Sequence, residues 1–268
     1  VMVSKTPESI TFSGKLTPGD YTLRGDVSSQ FVTGLLLALP LLPGDSTLRV
    51  LPPVESRPYI DITLDVMASF GITAEEREQD LFFIPGGQHY EGRCAAVEGD
   101  WSNAAFLFAL GSGVTVTGLR PDSLQGDRVC RDMLRRLERP GAVLDISACP
   151  DLGPVLFAVA ARSCGAVFTG TRRLRIKESD RAMAMARELA GFGAEMAVED
   201  DRVIVLPRPL HAPEEMLDGH NDHRVVMALA VLCASLGGTI RGAEAVSKSW
   251  PDFFRTLQAL GVRMEIQP

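Results

Sequence analysis

Arg175-Ile176-Lys177-Glu178-Ser179-Asp180-Arg181 puts three cations and two carboxylates into seven residues, and it runs straight into Ala182-Met183-Ala184-Met185-Ala186-Arg187-Glu188-Leu189-Ala190. The second stretch is made of strong helix formers. Ser179 and Asp180 are residue types that cap helices. The charged residues are therefore expected on a loop and a first helical turn. Free backbone N–H groups there, beside Lys177 and Arg181, would make an anion site. A solvated, self-paired charge run is the commoner meaning of such a stretch, so the rest of the chain has to decide.

Working outward, the same arrangement recurs. Polar residues open an apolar helix, a small-residue turn and a strand follow, and a second amphipathic helix ends in a glycine turn before a last strand. Four copies are read this way. The first has Asp26-Val27-Ser28-Ser29-Gln30 before the apolar run 31–42, a strand at 46–50, a second helix from Arg57 to Phe70-Gly71, and a tail ending near Ile84. The second has Glu98-Gly99-Asp100-Trp101-Ser102-Asn103 before a helix at 104–110, a strand at 114–116, and a second helix from Gly126-Asp127 to Pro140-Gly141. The third has Pro150-Asp151-Leu152-Gly153-Pro154 before a helix at 155–161, a strand at 165–168, the charged stretch opening the second helix to Phe192-Gly193, and a strand at 202–206. The fourth has Asn221-Asp222-His223-Arg224 before a helix at 225–236, a strand about 239–240, a second helix from Lys248-Ser249-Trp250-Pro251-Asp252 to Leu260-Gly261, and a strand at 263–266. The glycine after each second helix reads as a C-cap. The apolar helix faces imply helices packed on sheets. A link between domains is expected near Gln88 to Arg93. If the copies are equivalent, their polar clusters lie at equivalent helix N-termini and converge on one cleft that favours anions.

Composition narrows the function. The chain has 268 residues, 46% hydrophobic and 23% charged, with a net charge of −7. Such a chain buries a sizeable core, and its acidity argues against general nucleic-acid binding. A small anionic substrate still fits a locally basic cleft. The longest apolar run, Phe31 to Leu42, is too short and too interrupted to span a bilayer, so no membrane role is expected. Cys94, Cys130, Cys149, Cys164 and Cys233 are scattered and odd in number, which fits a reducing cytoplasm rather than a disulfide scaffold. There is no P-loop, no dinucleotide glycine pattern and no zinc motif, so neither a cofactor nor a metal is expected.

In the clusters, Ser28, Ser29 and Gln30 offer two hydroxyls and an amide at a helix start, which suits either a phosphate or plain N-capping. Asp151 is either a cap or a general base. Arg224 supplies a planar fork for a carboxylate or phosphate, and His223 a donor that exchanges protons near neutrality. His89, His211 and His220 have no such company and are read as surface residues. Lys248 repeats the theme of Lys177, near a helix start where the dipole does not favour a cation. Arg57, Lys177, Arg181, Arg224 and Lys248, with the acids Asp151 and Glu178, could hold a substrate carrying several negative charges by electrostatic clamping and acid–base chemistry.

Taken together and in order, Asp26-Val27-Ser28-Ser29-Gln30-Phe31, Arg57-Pro58-Tyr59-Ile60-Asp61, Glu98-Gly99-Asp100, the stretch 175–181, Asn221-Asp222-His223-Arg224 and Lys248-Ser249-Trp250-Pro251-Asp252-Phe253 resemble the 3-phosphoshikimate 1-carboxyvinyltransferase (EPSP synthase) family. The resemblance implies an α/β (α+β), two-lobed fold of six repeated βαβαββ units with substrates between the lobes. It implies residues 1–95 as part of one substrate-binding lobe and 96–268 as the second, nearly complete lobe. It also implies transfer of the enolpyruvyl group of phosphoenolpyruvate to the 5-hydroxyl of shikimate 3-phosphate, in chorismate and aromatic amino-acid synthesis. Glyphosate is the inhibitor it implies. Carried over by motif, Ser28, Ser29 and Ser56 hold the shikimate phosphate, Gln30 lies between the substrates and Tyr59 near the shikimate. Asp151 contacts shikimate hydroxyls as the candidate base, and Lys177 serves the same side. Glu178 takes part in proton transfer at the methylene carbon. Arg181, His223, Arg224 and Lys248 clamp phosphoenolpyruvate, with Lys248 also counted as catalytic.

The family's N-terminal part has no counterpart here. It carries a lysine, two arginines and an Asn-Gly-Gly loop that contact the substrates. The expectation is that this chain alone binds substrate weakly and turns over little or nothing. Sheet edges and apolar faces left uncovered in residues 1–95 would favour self-association or pairing with the missing segment. Two other readings stand beside this one. One is the related UDP-N-acetylglucosamine enolpyruvyl transferase, which the Asn-Asp-His-Arg and Lys-Glu-Ser-Asp-Arg motifs disfavour. The other is a non-catalytic anion-binding or assembly module.

Overall fold

A computed structural model of the chain describes residues 2–111 and 113–267. The chain divides into two compact units, Val1–Ala96 and Val97–Pro268.

The first unit opens with a small antiparallel hairpin, β1 (Met2–Lys5) and β2 (Ile10–Ser13), whose residues are all exposed. There follow β3 (Asp20–Arg24), α1 (Ser29–Ala38), β4 (Ser46–Leu51), α2 (Arg57–Ser69), β5 (Glu75–Glu78) and β6 (Leu81–Ile84). This is one complete βαβαββ unit. Its sheet has the order β3-β4-β6-β5, with β3 and β4 parallel and the other pairs antiparallel. In β4, Ser46, Leu48 and Val50 are buried and the residues between them are not, the alternation of a strand with one face on a core. In α2, Ile60, Thr63 and Met67 make the buried stripe. These residues close a core with Val32, Leu36, Phe82 and Ile84. Because β3 and β4 are parallel, the two helices that follow them both start from the carboxyl edge of the sheet. The loops at that edge touch: the Gly25 N–H donates to the Leu51 carbonyl at 2.9 Å. A Cβ at Gly25 would stand 2.9 Å from the carbonyl oxygens of Leu51 and Pro53, so only glycine permits this approach.

The second unit begins with α3 (Trp101–Ala109) and α4 (Cys130–Leu137). It continues with β7 (Val143–Asp145), α5 (Gly153–Arg162), β8 (Ala166–Thr169), α6 (Arg181–Gly191), β9 (Glu195–Val198) and β10 (Arg202–Leu206). From β7 to β10 the order of elements is again βαβαββ. The sheet order β7-β8-β10-β9, with β7 and β8 parallel, repeats that of the first unit. Then come β11 (Leu217–Asp218), α7 (His223–Leu236), β12 (Ile240–Arg241) and α8 (Phe253–Ala259), with β11 and β12 parallel. Helices α5 and α7 pack together at the centre and are buried all round over Gly153–Ala161 and His223–Leu232. Their sequences are apolar on every side, as a helix enclosed by others requires.

The four expected copies are thus not equally complete. Two are full units, the last is βαβα, and the second has only its helices. The expected strands at 114–116 and 263–266 are not formed, nor is any strand partner for them present among the described residues. A segment with β-favouring side chains stays irregular when no ladder takes up its N–H and C=O groups. The expected helix-ending glycines all have left-handed backbones: Gly71, Gly141, Gly193 and Gly261 lie between φ 79° and 93°. Among the described residues no helix is long and apolar enough to cross a membrane.

Phe157 is fully buried on α5 and meets Phe168 edge-on at 4.9 Å. Phe157→Ala is expected to cost about 3–5 kcal/mol, read as a lower urea midpoint with an unchanged slope.

Candidate active site

In the second unit, every helix that follows a parallel strand starts at a carboxyl edge, and each start carries charged side chains. Asp151 lies in the 3-10 turn Pro150–Leu152 between β7 and α5. The stretch 175–181 joins β8 to α6, and Asn221 to Arg224 join β11 to α7. Lys248 lies between β12 and α8. Helix α3 adds its own start, where the Asp100 carboxylate accepts the N–H groups of Ser102 and Asn103.

The centre of the cluster is Arg181, the first residue of α6 and only 1% exposed. It donates from Nε to Asp222 at 2.9 Å, from Nη1 to Asp151 at 2.6 Å and from Nη2 to Glu178 at 2.6 Å. Asp222 is wholly buried. It also accepts from Ser179 Oγ at 3.0 Å and caps α7 by accepting the Arg224 N–H at 2.9 Å. Arg224 donates to Ser102 Oγ at 2.7 Å and Asn103 Oδ1 at 3.1 Å, and lies 3.7 Å from Asp151. Lys177 is 3.5 Å from the same Asp151 carboxylate. His223 Nδ1 is 4.0 Å from Glu178 and, like Arg224 Nε, is buried without a hydrogen-bond partner. Asp180 caps α6 through the Met183 N–H, as its residue type foretold. Ser179 instead ties the loop to Asp222.

These contacts set the charge states. Burial opposes ionisation of Asp151, but Arg224, Lys177 and Arg181 outweigh it and hold its carboxyl well below the usual range. Asp222 is likewise buried yet lowered, through Arg181. Burial, then Arg224, lowers the His223 imidazole, which favours its neutral form. Glu178 is the most open carboxylate of the cluster, its side chain 39% exposed against 20% for Asp151 and none for Asp222. Asp127 sits deeper: burial, then the Asp151 charge, raises its carboxyl to about 7.

Some expectations change. Lys248 does not open a helix. It ends the 3-10 turn Ala243–Lys248, where a cation suits the dipole, and its ammonium donates to the backbone oxygen of Asn221 and, at 2.8 Å, to Asn221 Oδ1. Arg57 is already engaged within the first unit, by Asp61 at 2.8 Å, Glu76 at 2.6 Å and Asp80 at 2.8 Å, so it is not an open cation for a ligand. His220 is not a surface residue: it is half-buried and 2.8 Å from Glu188. Asp222, Ser102 and Asn103 also belong to the cluster, and in the sequence only their places inside the quoted motifs point to it. Asp127, at the start of an expected helix, carried no signal that it would be buried.

In the first unit, Ser28 caps α1 by accepting the Gln30 N–H at 3.2 Å. Ser29 is buried and Gln30 exposed. Ser56 precedes α2 in a left-handed conformation (φ 56°) and is 2% exposed, and Tyr59 lies in the first turn of α2. The loops after β3 and β4 thus bring Ser28, Ser29, Gln30, Ser56 and Tyr59 to one edge of one sheet.

The sequence model of one family, described as EPSP synthase (3-phosphoshikimate 1-carboxyvinyltransferase), matches residues 5–257. The chain belongs to this family. It is 42% identical over 278 residues to the 3-phosphoshikimate 1-carboxyvinyltransferase of Clostridium kluyveri, covering 94% of this chain and 64% of that protein. It is 40% identical to the protein of the same name from Methanoculleus marisnigri, covering 94% and 65%. The chain therefore spans less than two thirds of the length of these relatives. The EPSP synthase structure from Acinetobacter baumannii matches the fold with a TM-score of 0.78 at 23% identity, over 100% of this chain and 69% of that one. This likeness bears out the α/β fold with helices packed on mixed sheets.

Removing Arg181 would leave Asp222 charged and buried. Arg181→Met is expected to destabilise by about 3–5 kcal/mol at pH 7. Asp222 and Asp151 are held below their unfolded pKa, so what they contribute is present above about pH 4 and lost as pH falls further. The gap between Arg181→Met and the parent should therefore shrink in thermal melts run toward pH 3. Asp127 has the opposite sign. Raised to about 7, it favours the folded state while protonated, and that contribution is lost as pH rises from about 4 toward 7. Asp127→Asn should raise Tm at pH 8 more than at pH 5, by on the order of a few degrees.

Proposed function

We propose that the protein carrying this chain transfers the enolpyruvyl group of phosphoenolpyruvate to the 5-hydroxyl of shikimate 3-phosphate, releasing phosphate, in the cytoplasmic synthesis of aromatic amino acids. The observation that carries this reading is the convergence of Arg181, Arg224 and Lys177 with Asp151, Glu178 and His223 around the helix starts of the second unit, with Lys248 joined to them through Asn221, the neighbour of Asp222. Membership of the family supports the reaction.

Phosphoenolpyruvate carries a phosphate and a carboxylate. Arg224 and Lys248 are the cations we assign to it, with His223 as a donor. Arg181 is assigned to the same end of the site and acts through the carboxylates it holds, since three of its five donors go to Asp222, Asp151 and Glu178. Ser28, Ser29 and Ser56 are assigned to the shikimate phosphate, with Gln30 toward the second substrate and Tyr59 toward the shikimate. N–H groups and hydroxyls at helix starts suit that anion. Lys177 and Asp151 are assigned to the shikimate hydroxyls.

In the reaction, the methylene carbon of phosphoenolpyruvate gains a proton and its neighbour becomes electrophilic. The 5-hydroxyl oxygen bonds to that carbon and gives up its proton. Loss of a methyl proton and of phosphate then restores the double bond. Glu178, open and beside His223, is assigned the proton at carbon, with Lys248 close to the developing charge. Asp151 is assigned the hydroxyl proton. In the free protein Asp151 is a weak base, because three cations hold it ionised. A substrate anion sharing Arg224 and Lys177 would release part of that hold and make it more basic. Fixed charges that need no rearrangement as the reaction proceeds are what such an addition–elimination requires.

Phosphoenolpyruvate binding measured by calorimetry tests this. Arg224→Ala and Lys248→Ala should each weaken binding about tenfold or more. Phosphate release by the full protein that carries this chain, in the presence of shikimate 3-phosphate, should be lost with Asp151→Ala or Glu178→Gln. Full, folded protein carrying this chain that does not bind phosphoenolpyruvate, or binds it equally well without Arg224 and Lys248, would sink the assignment.

A further inference from the structure

Glu188 lies seven residues after Arg181 on α6, on the same buried side. It is 6% exposed, and the proposed chemistry gives it no task. One of its oxygens accepts the Asp218 N–H at 2.8 Å, and the other is 2.8 Å from His220 Nε2. Asp218 in turn accepts the His220 N–H at 2.7 Å and the Arg241 guanidinium at 2.6 Å. The turn between them is tightly built. The Gly219 N–H donates to the Arg241 carbonyl, and a Cβ on Gly219 would stand 2.5 Å from Val226 Cγ2. His220 and Asn221 are both left-handed, each at φ 51°. His and Asn enter this region more readily than most residues, and two in succession still need contacts that hold them there. Here those contacts are the ones made by Glu188 and Asp218.

The turn has two outputs. Asn221 presents its backbone oxygen and Oδ1 to the Lys248 ammonium. The next residue, Asp222, binds Arg181 and caps the helix that begins with His223 and Arg224. We propose that Glu188 and His220 are a positioning pair, which holds the 219–222 turn and through Asn221 sets where Lys248 stands in the anion site. This rests on the proposed reading that Lys248 and Arg224 receive phosphoenolpyruvate. A pair that merely stabilises the fold would alter melting without moving Lys248.

The chain has four lysines, Lys5, Lys15, Lys177 and Lys248. Competitive acetylation read by mass spectrometry therefore reports on Lys248 directly, with Lys5 and Lys15 as references. The variants are His220→Asn, which tolerates the left-handed backbone but is too short to reach Glu188, then Glu188→Gln and the double variant, with His220→Gln as the form that keeps a donor. His220→Asn and Glu188→Gln should each raise Lys248 labelling several-fold relative to Lys5 and weaken phosphoenolpyruvate binding about tenfold. The double variant should be no worse than either single one, and His220→Gln should recover most of the loss. Unchanged Lys248 labelling in the folded single variants, or fully additive effects in the double, would overturn the proposal. If the parent protein binds no phosphoenolpyruvate, the functional reading fails, and the labelling alone decides whether the pair positions Lys248.

Discussion

A fully buried guanidinium holds the second unit's charged edge together. Arg181 binds one carboxylate from the turn before α5, one from its own loop and one from the start of α7. Three chain segments far apart in sequence are thereby fixed to one planar group. Burying it without those partners would be prohibitive. With them, the cluster is self-consistent: Asp151 and Asp222 stay ionised despite burial, and His223 is pushed toward neutrality.

That cluster exists because of strand direction. β7 with β8, and β11 with β12, are parallel, so each following helix begins at a carboxyl edge. Helix starts are where free N–H groups and positive dipole ends lie. Nothing in the cations themselves would bring Asp151, Arg181 and Arg224 together. The backbone topology does so, and the packed, buried helices α5 and α7 start from that edge. The first unit repeats the device on a smaller scale, where β3 and β4 bring Ser28 and Ser56 to one edge, and Gly25 lets the loops close on each other.

The repeated unit shows how much was legible and why the rest was not. The boundaries of α2, β10 and α7 followed from caps, glycines and apolar runs, all of which are local signals. The strands at 114–116 and 263–266 failed because strand formation depends on a partner elsewhere. Arg57 and Lys248 looked alike as cations beside helices. One is consumed by three carboxylates and the other is held by Asn221. His220 looked like a surface residue because its partner Glu188 lies 32 residues away, on α6.

By itself the sequence determined the two full copies of the repeat, the segments that carry charge, the cap that starts α6, and family membership through motifs in fixed order. These depend on residues within a few positions of one another, where propensity and spacing act. Only the tertiary structure decided which carboxylates neutralise which cations, that Asp151 is a strongly held anion, that Asp127 is buried, and that Glu188 braces the turn under Lys248. Those outcomes depend on burial and on approach between distant segments, and charge energetics change most steeply with both.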